Sequence, residues 1–503
     1  MGFTTLDYTI VVVYLIGMAA VGILAGGKQT TTRDYFLGGR NIPWWAVCFA
    51  IVATETSTLT FISIPGLAYV TNLNFLQVTF GYLLGRIVVA AVLLPAYTRG
   101  ELSTAYQFLG QRFGGTLRTV ASVTFMGTRL FADSVRLFAT AIPLALLMKG
   151  WQMFGSASNE QMYVVSIIVM AVITLSYTFV GGVRAVIWTD VIQMFLYIAG
   201  AIGAGVIILN NLPSGFAMLT GEKLSLFKLG FDHSPAEFFS SPYTLAASIL
   251  GGAFLSMASH GTDQIIVQRL LTVKELKDSR RALIGSGIIV IIQFAVFLGI
   301  GLLLYLFYNG MSLDGMGLSK ADEIFPKFII ESMPSGLSGI IIAGLLAAAM
   351  STLSGSVNSL ASATLHDIYK PYFGTSTSEK SDLLFSRLIS LLWCALLVIV
   401  AVFFVTNTSK VLVELALSIA SITYGGMLGA FLLGILFKRI SQTDAIVGFL
   451  VGIATMVYVL TQTRIGWTWY TLVGTCVTLL TGNLWYYFRT KTMGKVQDAS
   501  SAD

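Results

Sequence analysis

The sequence contains little charge. Only 11% of its 503 residues are Asp, Glu, Lys or Arg, whereas 55% are hydrophobic. A soluble protein carries about 25% charged residues. This shortage excludes an ordinary soluble enzyme and places the chain in a lipid bilayer before any motif is considered.

Cysteine is also scarce. Cys48, Cys394 and Cys476 are scattered through apolar runs, which excludes a disulfide framework and a cysteine-based metal cluster. An H-E-x-x-H motif and a nucleophile–base pair are missing, which argues against an intramembrane enzyme. The repeated selectivity loops of a channel are missing too. No soluble domain or cleavable signal peptide is evident, and nothing indicates a nucleic-acid partner or an obligatory protein partner.

Long apolar runs are abundant. A spanning helix needs about 20 apolar residues, and we count thirteen such runs. Their approximate centres are Tyr14, Thr56, Val88, Asp133, Val172, Tyr197, Ala258, Phe294, Met350, Trp393, Thr423, Met456 and Val477. Lys and Arg concentrate in the loops on one side, which predicts an outside N-terminus and a cytoplasmic C-terminus. We expect a multi-pass protein of the plasma (inner) membrane.

Three apolar segments contain unexpected clusters of polar residues. They are "VATETSTLTF" (52–61), "FLSMASHGTDQIIVQR" (254–269) and "GLLAAAMSTLSGSVNSLASATLHDIY" (344–369). Glu55 and Asp263 lie near the middle of the first two, and His260 and Gly261 are close to Asp263. An ionisable group at that depth is costly unless it is paired or hydrated. The clusters therefore predict a hydrated cavity inside a helical bundle.

The positions of the first two clusters predict an internal repeat. They lie in spans 2 and 7, which is the spacing of a 5+5 inverted repeat whose first helices are broken near the midplane. We therefore expect an all-α polytopic fold. Its expected segments are a leading helix (1–27), two five-helix repeats (44–211 and 242–436), two trailing helices (437–489) and a disordered cytoplasmic tail (490–503).

Small hydroxyl side chains on span 9 predict a cation site. Ala348, Ser351 and Thr352 lie at i, i+3 and i+4 and therefore share one helix face. If this face meets the broken centre of span 2, five uncharged oxygens converge. They are the carbonyls of Ala53, Thr56 and Ala348 and the hydroxyls of Ser351 and Thr352. Such oxygens suit a sodium ion.

Four longer segments resemble the signature segments of the sodium:solute symporter family. They are "RDYFLGGRNIPWWAV" (33–47), "GGVRAVIWTDVIQMF" (181–195), "DQIIVQRLLTVKELKDSRRA" (263–282) and "LAAAMSTLSGSVNSLASATLHDIYK" (346–370). The resemblance covers nearly the whole chain. It implies a LeuT-like fold with one helix before the repeats and two after them. Carried over by position, the shared sodium site of the family falls on the same five residues.

Some members of this family bind a second sodium ion. By position, their aspartate corresponds to Asp190, and two of their hydroxyls correspond to Ser351 and Ser354. The next position is Gly355, where those members carry Ser or Thr, so this chain lacks one hydroxyl. A helix cap or an ion pair with a nearby arginine is the alternative role for Asp190.

Solute candidates come from the spans beside the breaks. They are Glu55, Thr60, Phe80, Arg129, Ser256, Ser259, His260, Asp263 and Tyr424. Most galactose-binding side chains of the family are absent, so residue identity does not support a sugar. Arg129 and Asp133 lie at i, i+4 and form either a structural ion pair or part of the site. Either Arg129 or Arg136 is a candidate to hold a carboxylate.

These features predict a sodium-coupled symporter, not an enzyme. It would import a small polar organic solute, such as an amino acid, carboxylate or sugar, by alternating access. Proton coupling is one alternative, because Glu55, His260 and Asp263 are titratable. A solute sensor of the same fold is another, although no signalling domain is evident.

Overall fold

The computed structural model describes residues 4–99, 102–149, 157–212, 216, 218–232, 234–318, 320–374, 378–407 and 412–500. These ranges are largely helical and contain no β-strand. The helices are α1 (Thr5–Gly26), α2 (Thr32–Leu37), α3 (Trp44–Glu55), α4 (Thr58–Val70), α5 (Leu76–Val88), α6 (Leu94–Arg99), α7 (Ala105–Phe113), α8 (Gly115–Lys149), α9 (Asn159–Asn210), α10 (Pro235–Ser240), α11 (Gly252–Gly261), α12 (Gln264–Leu270), α13 (Leu276–Phe307), α14 (Ile324–Glu331), α15 (Leu337–Ala363), α16 (Lys370–Phe373), α17 (Glu379–Asn407), α18 (Leu412–Leu436), α19 (Gln442–Gln462) and α20 (Tyr470–Ser500). Three π-helical turns, at Val89–Leu93, Ala247–Gly251 and Thr364–Tyr369, continue into the neighbouring helices.

Eight helical stretches among the described residues are long and apolar enough to cross a membrane. They are Thr5–Gly26, Leu76–Thr98, Asn159–Asn210, Leu276–Phe307, Leu337–Phe373, Glu379–Thr406, Ile419–Leu436 and Gln442–Gln462. Large apolar side chains are exposed on their outer faces, for example Leu388, Leu392 and Ile399 on α17. Contiguous exposed apolar surface of this kind suits lipid and not water. The chain is therefore a multi-pass, helical membrane protein.

Breaks and bends account for three of the five apolar runs that helix length alone does not count as separate spans. The 52-residue α9 contains two of the predicted spans and changes direction at Gly182, where φ is +54°. A Cβ atom at Gly182 would lie 2.3 Å from the carbonyl oxygen of Tyr35, so both the conformation and the close approach require glycine. Two other predicted spans are each divided into shorter helices, α3 with α4 and α11 with α12.

Helix α15 lies at the centre of the bundle. It packs against α1, α3, α4, α8, α9 and α17. The most apolar part of this helix is almost entirely buried. Its small residues allow this close packing on all sides. The polar cluster of residues 344–369 is therefore surrounded by protein, including both halves of the first broken helix.

The C-terminal end differs from the expectation of a disordered tail. Helix α20 continues to Ser500, and residues 501–503 lie outside the described part of the chain. Proline is absent from residues 490–500. The hydroxyls of Thr490 and Thr492 donate to the carbonyls of Tyr486 and Phe488, each at 2.9 Å. These contacts are compatible with a continuing helix.

Candidate ion and solute site

The polar stretch 52–61 contains a helix break. Helix α3 ends at Glu55, Thr56 has extended backbone angles (φ −83°, ψ 99°), and α4 begins at Thr58. The Thr56 hydroxyl donates to the carbonyl of Val52 at 2.9 Å, and the Ser57 hydroxyl accepts from the amide of Thr60 at 3.2 Å. Ser and Thr side chains favour such caps over a continuous helix. The last carbonyls of α3 are thus left without intrahelical donors.

The second polar stretch contains a break of the same form. Helix α11 ends at Gly261, and α12 begins at Gln264 after Thr262 and Asp263. The Thr262 hydroxyl donates to the carbonyl of Ala258 at 2.8 Å, and the Asp263 carboxylate caps α12 by accepting from the amide of Ile265 at 3.0 Å. In both breaks a threonine bonds back to the residue four positions earlier, and the next residue caps the following helix.

The first break contacts the hydroxyl-bearing face of α15. The Thr58 hydroxyl donates to the carbonyl of Leu345 at 2.9 Å. On α15, the Thr352 hydroxyl donates to the carbonyl of Ala348 at 3.1 Å. The Ser351 hydroxyl is fully buried. It lies beside the carboxylate of Asp190 on α9.

A small cavity lies between the break, α8 and α15. Ser57, Arg136, Ala349 and Thr352 line it, and its size is roughly that of one water molecule. It therefore brings the cap of α4 beside one of the predicted sodium ligands. Ala53, Thr56, Ala348 and Ser351 lie on the elements that enclose it but do not line it, so the five-oxygen site remains a prediction.

A larger cavity of about 390 Å³ runs along one face of α4. The α4 residues that line it recur every three or four positions from Thr60 to Val70, and Ser57 lies at its start. Because the cavity follows the thirteen residues of α4, it is roughly 20 Å long. Arg136 and Glu55 line it beside Ser57. Aromatic rings form another part of its wall, those of Phe75, Tyr82, Tyr243, Phe294 and Trp467.

Asp322 is the acidic residue that the connecting segment before α14 contributes to this cavity. It lies in a short 3-10 turn, Ala321–Glu323. Partial burial raises the pKa of its carboxyl group above the ordinary value, although nearby Lys320 opposes the shift. A cavity with Arg136 and Asp322 on its walls can bind a solute that carries polar groups at more than one position.

Glu55 forms a buried cluster with an arginine and a histidine. It makes an ion pair with Arg86, whose side chain is 0% exposed, and Arg86 also donates to the Ser286 hydroxyl at 2.8 Å. His260 Nε2 lies 3.6 Å from Glu55, and His260 Nδ1 lies 2.9 Å from the Ser259 hydroxyl. Three predicted solute residues therefore lie together. Their arginine partner is a residue whose role the sequence analysis did not assign.

Arg129 belongs to a second buried cluster. It makes an ion pair with Asp263, contacts Asp133 at 3.2 Å and donates to the Tyr424 hydroxyl at 3.0 Å. Asp133 also contacts Arg136 at 3.2 Å and accepts from the Ser356 hydroxyl. The cluster joins α8, α15, α18 and the second break. Arg129 does not line the larger cavity, whereas Arg136 does.

Asp190 forms a third buried ion pair. Its Oδ2 atom accepts from Arg269 Nη2 at 2.9 Å and from Nε at 3.3 Å. This is the arginine partner that the sequence analysis gave as the alternative to a second sodium site. Ser354 donates to the carbonyl of Ser351 at 3.0 Å, within its own helix.

Among the nine predicted solute residues, Glu55 and Thr60 line the larger cavity. Phe80 and Ser256 lie outside this cavity and outside the charge clusters around Glu55 and Arg129. Phe80 stacks on Phe227 with ring centroids 6.4 Å apart, because Phe75 and Tyr82 occupy the cavity-facing side of their segment. Ser256 is buried where α11 packs on α5: a Cβ atom at Gly85 would lie 2.9 Å from that of Ser256. Gln293 also contacts the first break, where it donates to the Thr56 hydroxyl, and no local sequence signal indicated this contact.

Comparison with known proteins gives consistent results. The family model for the sodium:solute symporter family matches residues 35–452. The sodium/sialic acid symporter NanT of Aliivibrio fischeri is 28% identical over 492 residues, which cover 96% of this chain and 93% of that protein. The human sodium-coupled monocarboxylate transporter 1 is 28% identical over 469 residues, covering 91% and 73%.

A solved structure also matches over almost the full length. It is described as the substrate-bound outward-open state of a Na+-coupled sialic acid symporter with a novel Na+-site. It has a TM-score of 0.85 and 27% sequence identity, and the match covers 97% of this chain and 98% of that one. Because the family model matches most of the sequence and the fold agrees, this chain belongs to the sodium:solute symporter family.

Proposed function

We propose that the protein is a sodium-coupled symporter that imports a small solute bearing a carboxylate group by alternating access. The observation that carries this proposal is the break at Thr56 and Ser57. It lies beside α15, where Thr58 donates to the carbonyl of Leu345 and Ser57 shares a small cavity with Thr352. Membership of the sodium:solute symporter family and the functions of the relatives support it.

The proposed sodium ligands are the carbonyls of Ala53, Thr56 and Ala348 and the hydroxyls of Ser351 and Thr352. Oxygen ligands without formal charge suit a monovalent cation that must enter and leave. The C-terminal end of α3 faces the break, and the partial negative charge of that end favours a cation. The hydroxyl of Thr352 already bonds to the carbonyl of Ala348, which holds two of these oxygens beside each other.

The proposed solute site lies on the other side of the same break. The N-terminal end of α4 carries a partial positive charge, and helix ends of this kind bind carboxylates. Ser57 and Thr60 line the larger cavity there, together with Arg136. The relatives are named as sialic acid and monocarboxylate transporters, and these solutes share a carboxylate. Arg136 is therefore the proposed partner of the solute carboxylate.

The finer architecture follows from the similarity of the two breaks. We assign thirteen spanning helices, with a 5+5 inverted repeat over residues 44–211 and 242–436. The leading helix is 1–27, and the trailing helices lie within 437–489. We propose an outside N-terminus and a cytoplasmic C-terminus, because basic residues concentrate in the loops on one side. In this orientation the larger cavity opens to the outside, and the Arg129–Asp263–Tyr424 cluster closes the inner side.

Coupling requires sodium to prefer one conformation. In our account sodium joins the first broken helix to α15 and thereby stabilises the outward-facing form with its solute cavity. Rearrangement of the inner cluster then opens a path to the cytoplasm. The inward movement of each uncompensated positive charge releases about 2.3 kcal/mol per 100 mV.

Proton coupling is the competing assignment, but the packing of the buried acids favours sodium. Glu55 is paired with Arg86 and Asp263 with Arg129, so neither acid needs a bound proton to be neutralised. Purified protein in proteoliposomes distinguishes these cases. We expect an inward sodium gradient to drive uptake of labelled sialic acid or of a short monocarboxylate, whereas an equal potassium gradient should not. Uptake that follows only a proton gradient would assign proton coupling, and solute binding without flux would assign a sensor.

A further inference from the structure

The pocket around Asp190 already contains a cation. Arg269 extends from α12 and places two guanidinium nitrogens on Asp190 Oδ2, at 2.9 and 3.3 Å. Its third nitrogen, Nη1, donates to the carbonyl of Ile265 at 2.8 Å. The side chains of both partners are buried, with 3% and 0% exposure. All three guanidinium nitrogens therefore have acceptors.

Gly355 provides the space that the guanidinium occupies. A Cβ atom on Gly355 would lie 2.8 Å from Arg269 Nη2 and 3.2 Å from Nη1. Any larger residue at this position would push the guanidinium away from its place between α12 and α15. The glycine and the arginine are thus fitted to each other across two helices that are distant in sequence.

The remaining oxygens of the pocket are those expected for a second sodium site. The Ser351 hydroxyl interacts with the Asp190 carboxylate, whose Oδ1 atom is left free by Arg269. Ser354 is occupied by the carbonyl of Ser351. An added sodium ion would meet a carboxylate that is already neutralised and a fixed positive charge within the same pocket. One hydroxyl and one carboxylate oxygen are too few ligands to overcome that repulsion.

We propose that the Arg269 guanidinium is the resident cation of this pocket, so that the protein carries one sodium ion per cycle and not two. This inference rests on the proposed sodium-coupled function. It has an electrical consequence: one sodium ion and one carboxylate solute carry no net charge across the membrane. Transport of a monocarboxylate is then electroneutral, whereas a second sodium ion would make it respond to the membrane potential.

The first test counts sodium ions on the intact wild-type chain. Binding of ²²Na⁺ to purified protein should saturate at one ion per chain. In proteoliposomes, uptake of labelled sialic acid or of a short monocarboxylate should depend on sodium with a Hill coefficient near 1. An inside-negative potential, imposed with valinomycin and potassium, should leave its initial rate unchanged. Two saturable sodium ions in the wild type, or uptake that rises several-fold with the potential, would overturn the inference.

The second test rebuilds the missing site. The double variant Arg269→Gln/Gly355→Ser removes the resident cation and adds a hydroxyl, and we expect it to bind one more ²²Na⁺ than the wild type. Arg281→Gln, which removes a more exposed arginine, is the matched control and should bind the same number as the wild type. No additional ion in a folded double variant would contradict the inference. If that variant does not fold, the wild-type count decides. If the wild type shows no sodium-driven uptake, that result counts against the proposed function alone. The ²²Na⁺ counts of the wild type and the double variant would still test whether Arg269 occupies the second sodium site.

Discussion

Replacing Arg86 with methionine should destabilise the protein by leaving Glu55 without its charged partner. The Arg86 side chain is 0% exposed and that of Glu55 only 17%. Removal of one member of a buried ion pair costs about 3 to 5 kcal/mol, whereas replacement of both members by neutral groups is often close to neutral. We therefore expect Arg86→Met to unfold at a clearly lower temperature than Glu55→Gln/Arg86→Met.

The double variant should not recover the full wild-type stability. Arg86 also donates to the Ser286 hydroxyl at 2.8 Å. The double variant loses this hydrogen bond, which costs about 1 kcal/mol. The expected order of thermal stability is wild type, then the double variant, then Arg86→Met. It can be measured by intrinsic fluorescence during heating in detergent, with Arg281→Gln as a surface control. A double variant no more stable than Arg86→Met would refute the reasoning that the unpaired Glu55 charge causes the loss.

The cavity supports two further predictions. Arg136→Gln should raise the KM for a carboxylate solute by about tenfold or more, because it removes a charged hydrogen-bond donor worth about 1.5 to 3 kcal/mol. Arg136→Lys should have a smaller effect, since it keeps the charge but loses the planar guanidinium. Lys327→Gln serves as the control. Equal KM values for Arg136→Gln and the wild type would contradict the assignment. The Asp322 carboxylate should repel an anionic solute, so KM should fall as external pH decreases towards its pKa, which partial burial raises. Asp322→Asn should lower KM at neutral pH by about threefold, the effect of roughly 0.7 kcal/mol of repulsion, and should abolish this pH dependence, whereas Asp314→Asn in an exposed turn should do neither.

Local signals in the sequence located the helix breaks. Serine and threonine in 52–61 compete with backbone hydrogen bonding, and the structure breaks the helix at Thr56 and Ser57. The same reasoning located the second break beside Asp263. The apolar runs also identified a helical membrane protein, because burial in lipid requires long apolar helices whatever their packing.

The partners of the buried charges depend on tertiary packing and had no such local signal. Arg86 is 31 residues from Glu55, and Arg269 is 79 residues from Asp190. No helical periodicity connects such pairs, so the sequence showed the charges but not which of them meet. The placement of Phe80 has a similar cause. A helix rotation that places Phe75 and Tyr82 on the cavity directs Phe80 to the loop residue Phe227.

Sodium-driven uptake by the double variant Ser351→Ala/Thr352→Ala tests the central claim most directly. Each hydroxyl that contacts a cation is worth about 1.5 kcal/mol or more, or at least about tenfold in sodium affinity. Ser359→Ala is the matched control, because its hydroxyl bonds within α15 to the carbonyl of Ser356 at 3.1 Å. We predict that the double variant folds but loses sodium-driven uptake, while Ser359→Ala retains it. Uptake by the double variant with the sodium dependence of the wild type would contradict the account.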